Sequence, residues 1–138
     1  MRILGIDFGD ARTGVALSDP TGFLATGLEN LRGGSIEDTA QRIITTANAH
    51  GAQRIVLGYP KNMDGSIGPR AQKSETLKTA LESLSDLPVI LWDERQSTVQ
   101  AQHILRQNGK KAKQQKNIVD SVAAVIILQS YLDSLSKF

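Results

Sequence analysis

The 138-residue sequence contains no cysteine and only two histidines. The absence of cysteine excludes disulfide bonds and cysteine-ligated zinc sites. His50 and His103 have no partner at the spacing of metal ligands, so both are expected at the surface. No apolar run approaches the ~20 residues that a membrane-spanning helix needs, and the N-terminus has no signal-peptide pattern. We therefore expect a cytoplasmic protein that does not associate with membranes.

The composition, 40% hydrophobic and 22% charged residues, is typical of one globular domain, which we assign to residues 1–138. The net charge of +2 indicates a polyanionic partner only weakly. The stretch "KKAKQQK" is more informative, because it contains no acid among its four lysines, which are Lys110, Lys111, Lys113 and Lys116. This stretch is either a surface that binds a phosphate backbone or a solvated loop.

Three apolar segments within residues 2–32 are separated by short turns. This spacing predicts a three-stranded antiparallel meander. Ser35 is then predicted to cap a helix that Gly51 ends, because apolar residues recur between them at helical spacing.

Strands and helices alternate in the rest of the chain. Strands are predicted at 54–58 and 87–92, and helices at 71–85, from Ser97 or Thr98 to Gly109, and at 118–135. Successive β-α-β units require parallel strands joined by right-handed crossovers. The sequence therefore predicts an α/β fold, a mixed five-stranded sheet with helices on both faces.

Acidic residues follow two of the strands expected to be parallel. Asp7 ends the first strand, and the fifth strand ends at "DER", residues 93–95. Asp120 precedes an apolar helical run and shares a helical face with Ala124, so it is a candidate to face Asp7. Sites in open α/β sheets collect at the carboxyl ends of parallel strands, so these acids are expected to converge.

Carboxylates at one edge repel each other unless a cation lies between them. Oxygen ligands without cysteine or paired histidines favour Mg²⁺ or Mn²⁺. Two such ions stabilise the attacking and leaving oxygens of phosphodiester cleavage. The lysines at 110–116 directly precede the Asp120 helix, where they could hold a nucleic-acid backbone. The sequence therefore predicts a metal-dependent nuclease.

Four segments of the chain carry a further signal: "GIDFGDARTGVALSD", "GYPKNMDGSIGPRA", "DERQST" and "KNIVDSVAAVIILQSYL". Together they resemble the YqgF family, also called RuvX-type Holliday junction resolvase homologues or pre-16S rRNA nucleases, within the RNase H-like superfamily. The resemblance implies an RNase H-like fold and a divalent-metal nuclease that helps to mature the 5′ end of small-subunit rRNA. It implies catalytic and metal-binding roles for Asp7, Glu94 and Asp120, and Arg12 and Arg95 stand where the family has arginines.

The sequence departs from many RNase H-like nucleases at the end of the fourth strand, where an acid is replaced by "GYP" at 58–60. Either Asp93 or Glu94 must therefore reach the site from the fifth strand. These two acids could instead pair with Arg95 or cap the following helix. Arg95 and Arg12 could hold carboxylates or contact phosphate.

Other functions remain open at this point. Branched DNA is an alternative substrate, and its resolution by two symmetric cuts would favour a homodimer over a monomer. A non-catalytic nucleic-acid-binding factor in ribosome assembly or transcription is a second alternative. "GIDFG" also resembles the phosphate loop of heat-shock chaperone and sugar-kinase ATPases, but those enzymes bind ATP between two such lobes.

Overall fold

The computed structural model describes residues 1–97 and 121–135. Asp120, the lysines at 110, 111, 113 and 116, and the helix predicted to end at Gly109 lie outside the described residues. The helices and strands in chain order are β1 (Ile3–Asp7), β2 (Arg12–Ser18), β3 (Ala25–Gly27), β4 (Leu31–Arg32), α1 (Ile36–Ala49), β5 (Arg54–Tyr59), α2 (Pro69–Leu84), β6 (Val89–Asp93), a 3₁₀ turn (Glu94–Ser97) and α3 (Val122–Leu135).

The strands form one mixed sheet in the order β3-β2-β1-β5-β6. β1 is parallel to β5, and β5 is parallel to β6, whereas β2 is antiparallel to β1 and β3. The parallel arrangement predicted for the first, fourth and fifth strands is confirmed. The carboxyl ends of β1, β5 and β6 consequently share one edge of the sheet.

The predicted third strand is divided into β3 and β4, which both pair with β2. Leu28 lies between them, and its amide donates to the Val15 carbonyl at 2.8 Å. The Leu28 carbonyl instead accepts a hydrogen bond from the Ser121 hydroxyl, which also lies 2.9 Å from Asn30 Oδ1. The strand is interrupted because its middle residues contact the start of α3, a contact that alternation in the sequence does not reveal.

Local capping signals are confirmed in α1. The Ser35 side chain accepts from the Asp38 amide at 3.1 Å, and Gly51 adopts φ +69° just after the helix. This left-handed conformation favours glycine, which has no Cβ to clash. Helix α2 begins at Pro69, two residues earlier than predicted, because proline is well suited to the first turn of a helix.

Helices cover both faces of the sheet, as predicted. On one face, α1 and α2 pack against β-strand residues that include Leu4 and Ile6, and on the other α3 packs against Ile3 and Val56. Alternate residues of β1 therefore enter opposite cores. Within residues 1–97 and 121–135, no helix combines the length and the apolar character needed to cross a bilayer.

Helix α3 lies unusually close to the sheet. A Cβ atom on Gly5 would lie 2.7 Å from Leu128 Cβ and 3.3 Å from the Ala124 carbonyl oxygen. Any side chain on Gly5 would thus collide with the helix. The missing side chain on β1 allows α3 to approach the strand that ends at Asp7.

Candidate active site

Asp7 is the last residue of β1 and is partly buried. It follows Ile6, which pairs with Leu57 of β5, so Asp7 lies beside the end of β5. Burial raises the pKa of the Asp7 carboxyl, and the positive charge of Arg70 partly opposes this shift. Asp7, which the sequence predicts at a strand end, therefore lies where burial makes the ionised form of its carboxyl group less stable.

Glu94 directly follows β6 and reaches across to β5. Its Oε2 atom lies 3.3 Å from the position that a Cβ atom on Gly58 would occupy. The pKa of Glu94 is raised to about 7, first by burial and then by the negative charge of Asp7. Arg70 opposes this shift, and Asp93 adds to it. The negative charge of Asp7 thus disfavours ionisation of Glu94, which lies at the same edge of the sheet.

Asp93 is held by a different partner. The Arg95 guanidinium donates to Asp93 Oδ2 from Nε at 3.0 Å and from Nη2 at 2.7 Å, and the Arg95 amide donates to Oδ1 at 3.0 Å. These hydrogen bonds lower the pKa of the Asp93 carboxyl. Of the two acids considered for this strand end, Glu94 contacts the end of β5, while Asp93 forms an ion pair with Arg95.

Arg70 is a site residue that the sequence reasoning missed. It lies in the first turn of α2, and its charge lowers the pKa of both Asp7 and Glu94 relative to burial alone. One turn further along, Lys73 forms a 2.7 Å salt bridge with Asp10, which joins α2 to the β1–β2 turn. Pro69 could have indicated this role, because proline favours the first position of a helix. A helix that begins at Pro69 places Arg70 in its first turn, at the same edge of the sheet as Asp7.

Two of the six basic residues predicted to contact nucleic acid are described. Arg12 is exposed at the start of β2, where its backbone pairs with Arg32 of β4. Arg95 is exposed and binds Asp93. The remaining four, Lys110, Lys111, Lys113 and Lys116, lie outside the described residues, as does Asp120.

The donor chemistry of the site suits a hard divalent cation. Asp7 and Glu94 present carboxylate oxygens, the ligands that Mg²⁺ and Mn²⁺ prefer. Burial raises the pKa of both groups and so disfavours their ionised forms, and the positive charge of such an ion would offset this effect. In residues 1–97 and 121–135, no three histidine or acidic side chains form a group that could hold a metal. The two carboxylates therefore fit part of a metal site.

A groove of about 300 Å³ lies elsewhere, at the opposite edge of the sheet. It is lined by Met1, Ile3, Thr21, Gly22, Phe23, Arg54, Leu132 and Leu135. It includes the first residues of β1 and β5 rather than their carboxyl ends, so it is separate from the carboxylate pair.

Comparison with known proteins finds relatives that match the chain over almost its whole length. A protein of Ruminiclostridium cellulolyticum named "Putative pre-16S rRNA nuclease" is 44% identical over 137 residues, covering 99% of this chain and 96% of its own length. The structure of T. thermophilus RuvC with a Holliday junction substrate matches with a TM-score of 0.67, at 13% identity, over 99% of this chain and 97% of that one. The Fowlpox virus resolvase with Holliday junction DNA matches with a TM-score of 0.59, at 16% identity, over 99% and 100%.

The structural matches confirm the predicted RNase H-like fold, and the sequence matches confirm the family resemblance. Residues 1–134 match the family model of RuvX, which is described as Holliday junction resolvase. Because this match covers nearly the whole sequence, the chain belongs to the RuvX family of nucleases.

Proposed function

We propose that this protein is a divalent-metal-dependent nuclease that hydrolyses phosphodiester bonds in the 5′ region of precursor 16S rRNA. The relative named for this activity matches 99% of the chain. The observation that carries the chemistry is that Glu94 lies against Gly58 near the end of β5, beside the parallel strand β1 that ends at Asp7, so both carboxyl groups belong to one edge of the sheet. Precursor rRNA would make the cytoplasm the place of action.

Asp7 and Glu94 would hold Mg²⁺ or Mn²⁺, which supplies charge stabilisation for the attacking and leaving oxygens when bound. A cation between the two carboxylates would keep both ionised at neutral pH, although burial disfavours their charge. Asp93 is the weaker candidate ligand because Arg95 already binds its carboxylate.

Asp120 is proposed as the third acid of the site. It is joined directly to Ser121, whose hydroxyl bonds to the Leu28 carbonyl and whose side chain is fully buried. Ala124, one turn after Asp120 in the sequence, packs its backbone against Gly5 of β1. The start of α3 is therefore anchored over the strand that ends at Asp7, which supports the pairing of these acids.

Positive side chains would bind the phosphates of the substrate. Arg70 is the best supported, because its charge already acts on both carboxylates and a guanidinium matches phosphate geometry. Arg12 and Arg95 are proposed to contact the same backbone further from the cleaved bond. Lys110, Lys111, Lys113 and Lys116 are proposed to extend this surface, since they directly precede Asp120 in the sequence.

Branched DNA is the second candidate substrate. The description of the family model names Holliday junction resolvase, and this observation favours it. Junction resolution requires two symmetric cuts, so this version of the function needs a homodimer, whereas rRNA cleavage is compatible with a monomer.

The decisive experiment compares cleavage of a 5′-extended 16S rRNA precursor with cleavage of a four-way DNA junction, in Mg²⁺ and in Mn²⁺. The unsubstituted protein should cut the rRNA faster, and Asp7→Asn should lower the rate about 100-fold or more, because a catalytic metal site supplies several kcal/mol. The variant should still bind the RNA.

Asp10→Asn is the matched control, because Asp10 is exposed and its surface ion pair with Lys73 contributes little. Equal cutting by Asp7→Asn and the unsubstituted protein would reject the site. Binding of rRNA without cutting in either metal would support a non-catalytic factor in ribosome assembly instead.

A further inference from the structure

The connection between β5 and α2, residues 60–68, borders the candidate site at both ends. On one side it follows the end of β5, where Gly58 lies against the Glu94 carboxyl group. On the other it leads into α2, where the charge of Arg70 acts on the same carboxyl group. The 60–68 loop therefore forms part of the rim of the site.

The loop is anchored to residues that are themselves fixed. A Cβ atom on Gly65 would lie 3.4 Å from Arg95 Nη1, so the loop backbone lies against a guanidinium that is bound to Asp93. Just before the loop, the Tyr59 hydroxyl donates to Glu75 Oε2 of α2 at 2.7 Å. These contacts hold the loop beside the 3₁₀ turn that carries Glu94.

Hydrogen bonds within the loop close a tight turn with Met63 at its tip. The Gly65 amide donates to the Asn62 carbonyl at 2.8 Å, so Met63 and Asp64 are the two central turn residues. The Asn62 side-chain amide donates to Ser66 Oγ at 2.9 Å, and the Ser66 amide donates to Asp64 Oδ1 at 2.9 Å. The conformation of the turn is thus formed before any partner binds.

Met63 is 92% exposed, the highest value of any large apolar side chain in residues 1–97 and 121–135. Ile67 of the same loop is 45% exposed. Single exposed apolar residues are common on protein surfaces. Met63 is distinctive because an ordered turn holds it outward at the rim of the candidate site.

We propose that Met63 is an apolar wedge that inserts between stacked bases of the nucleic acid next to the cleaved phosphodiester, an inference that rests on the proposed function. Apolar side chains, methionine among them, are the groups that proteins insert between base steps. Met63 follows Gly58 by five residues, so the two lie at most about 18 Å apart. The wedge would open paired RNA and give the carboxylates access to the backbone.

The test uses RNA hairpins of precursor sequence that carry 2-aminopurine at successive positions, bound in Ca²⁺. Unstacking of the probe raises its fluorescence, and this signal requires binding but no cleavage. We expect a severalfold rise at one or two adjacent positions with the unsubstituted protein. Met63→Ser should abolish the rise at saturating protein, whereas Leu24→Ser should retain it. Leu24 is a matched control because it is 66% exposed in the turn before β3, near the opposite edge of the sheet.

Cleavage provides a second readout in Mg²⁺. Met63→Ser should cut paired RNA about 10-fold more slowly and single-stranded RNA at the rate of the unsubstituted protein, since unpaired bases need no opening. A full fluorescence rise with Met63→Ser, or equal losses on both substrates, would overturn the wedge while leaving the nuclease assignment intact. If the protein unstacks the probe through Met63 but cuts no RNA, the wedge stands and the proposed rRNA cleavage fails.

Discussion

Glu94 Oε2 lies 3.3 Å from the point where a Cβ atom on Gly58 would stand, and Ile127 Cδ1 lies 2.6 Å from the same point. A side chain on Gly58 would therefore force the ends of both of these side chains to move. In this protein, a carboxyl group carried by the turn after β6 and a methyl group from α3 occupy that volume. This relationship explains how a strand end without an acid still borders an acidic site.

Gly58→Ala should reduce both stability and cleavage. The added Cβ atom would displace the buried Ile127 side chain and shift the Glu94 carboxylate by a few tenths of an ångström. Since a 1 Å displacement of a catalytic group can lower a rate about 100-fold, we expect a loss on the order of 10-fold. Thermal unfolding and cleavage of precursor rRNA measure the two effects.

The two effects of this substitution can be separated with Ile127→Val, which removes Cδ1. The double variant should recover stability relative to Gly58→Ala, while its cleavage stays low because Glu94 is still displaced. Ile127→Val alone should cut normally and lose only about 1 kcal/mol of stability. Full recovery of cleavage in the double variant would contradict a role for Gly58 in positioning Glu94.

Glu94→Gln should abolish cleavage, whereas Asp93→Asn should retain most of it. The reason is that Glu94 lies against Gly58 within the candidate site, while the Asp93 carboxylate is bound by Arg95. Single-turnover cleavage of the rRNA precursor by the two amide variants provides the comparison. A larger loss from Asp93→Asn than from Glu94→Gln would reverse the assignment of these adjacent acids.

The stability of the metal-free protein should fall as pH rises through neutrality. Glu94 has a pKa of about 7 in the folded protein, against an ordinary value of 4.5, and the pKa of Asp7 is raised as well. Between these values the folded state binds more protons than the unfolded state, so the free energy of unfolding decreases with pH. Thermal unfolding in EDTA across pH 5 to pH 8, about the range of the shift, measures this slope.

Mg²⁺ should oppose the same trend, because it binds the ionised carboxylates. The rise in Tm on adding Mg²⁺ should be larger near pH 8 than near pH 5, since both acids must ionise to bind it. Glu94→Gln should raise the Tm in EDTA at the higher pH and remove most of the Mg²⁺ effect. A pH slope that persists unchanged in the Asp7→Asn, Glu94→Gln double variant would show that other groups cause it.

Gly5→Ala should destabilise the protein through the packing of α3. The new Cβ atom would lie 2.7 Å from Leu128 Cβ and 3.3 Å from the Ala124 carbonyl, and neither is the flexible end of a side chain. Overpacking of this kind costs about 1–3 kcal/mol, which exceeds the 0.4–1 kcal/mol that alanine contributes through the unfolded state. Chemical denaturation measures the difference, and unchanged stability would mean that α3 can move away from β1 without loss.

Local signals in the sequence determined the order of the elements, the caps of α1, the burial of α3 and the position of Asp7 at a strand end. These features depend on hydrophobic periodicity and on residues close together in the chain, such as Ser35 with Asp38. The quoted segments likewise identified the family without knowledge of any contact.

Only the tertiary structure decided which carboxyl group reaches the end of β5, that Arg70 acts on both acids, and that α3 interrupts the third predicted strand. Each of these outcomes depends on side chains from separate elements, such as Gly58 and Glu94 or Leu28 and Ser121. Asp93 and Glu94 are adjacent in the sequence, and the sequence alone did not show which of them pairs with Arg95. Asp93 binds the amide and the guanidinium of Arg95, two residues along the chain, whereas Glu94 lies against Gly58 of β5. Only the second contact depends on the tertiary structure, because it joins residues that are far apart in the sequence and become neighbours when β6 pairs with β5.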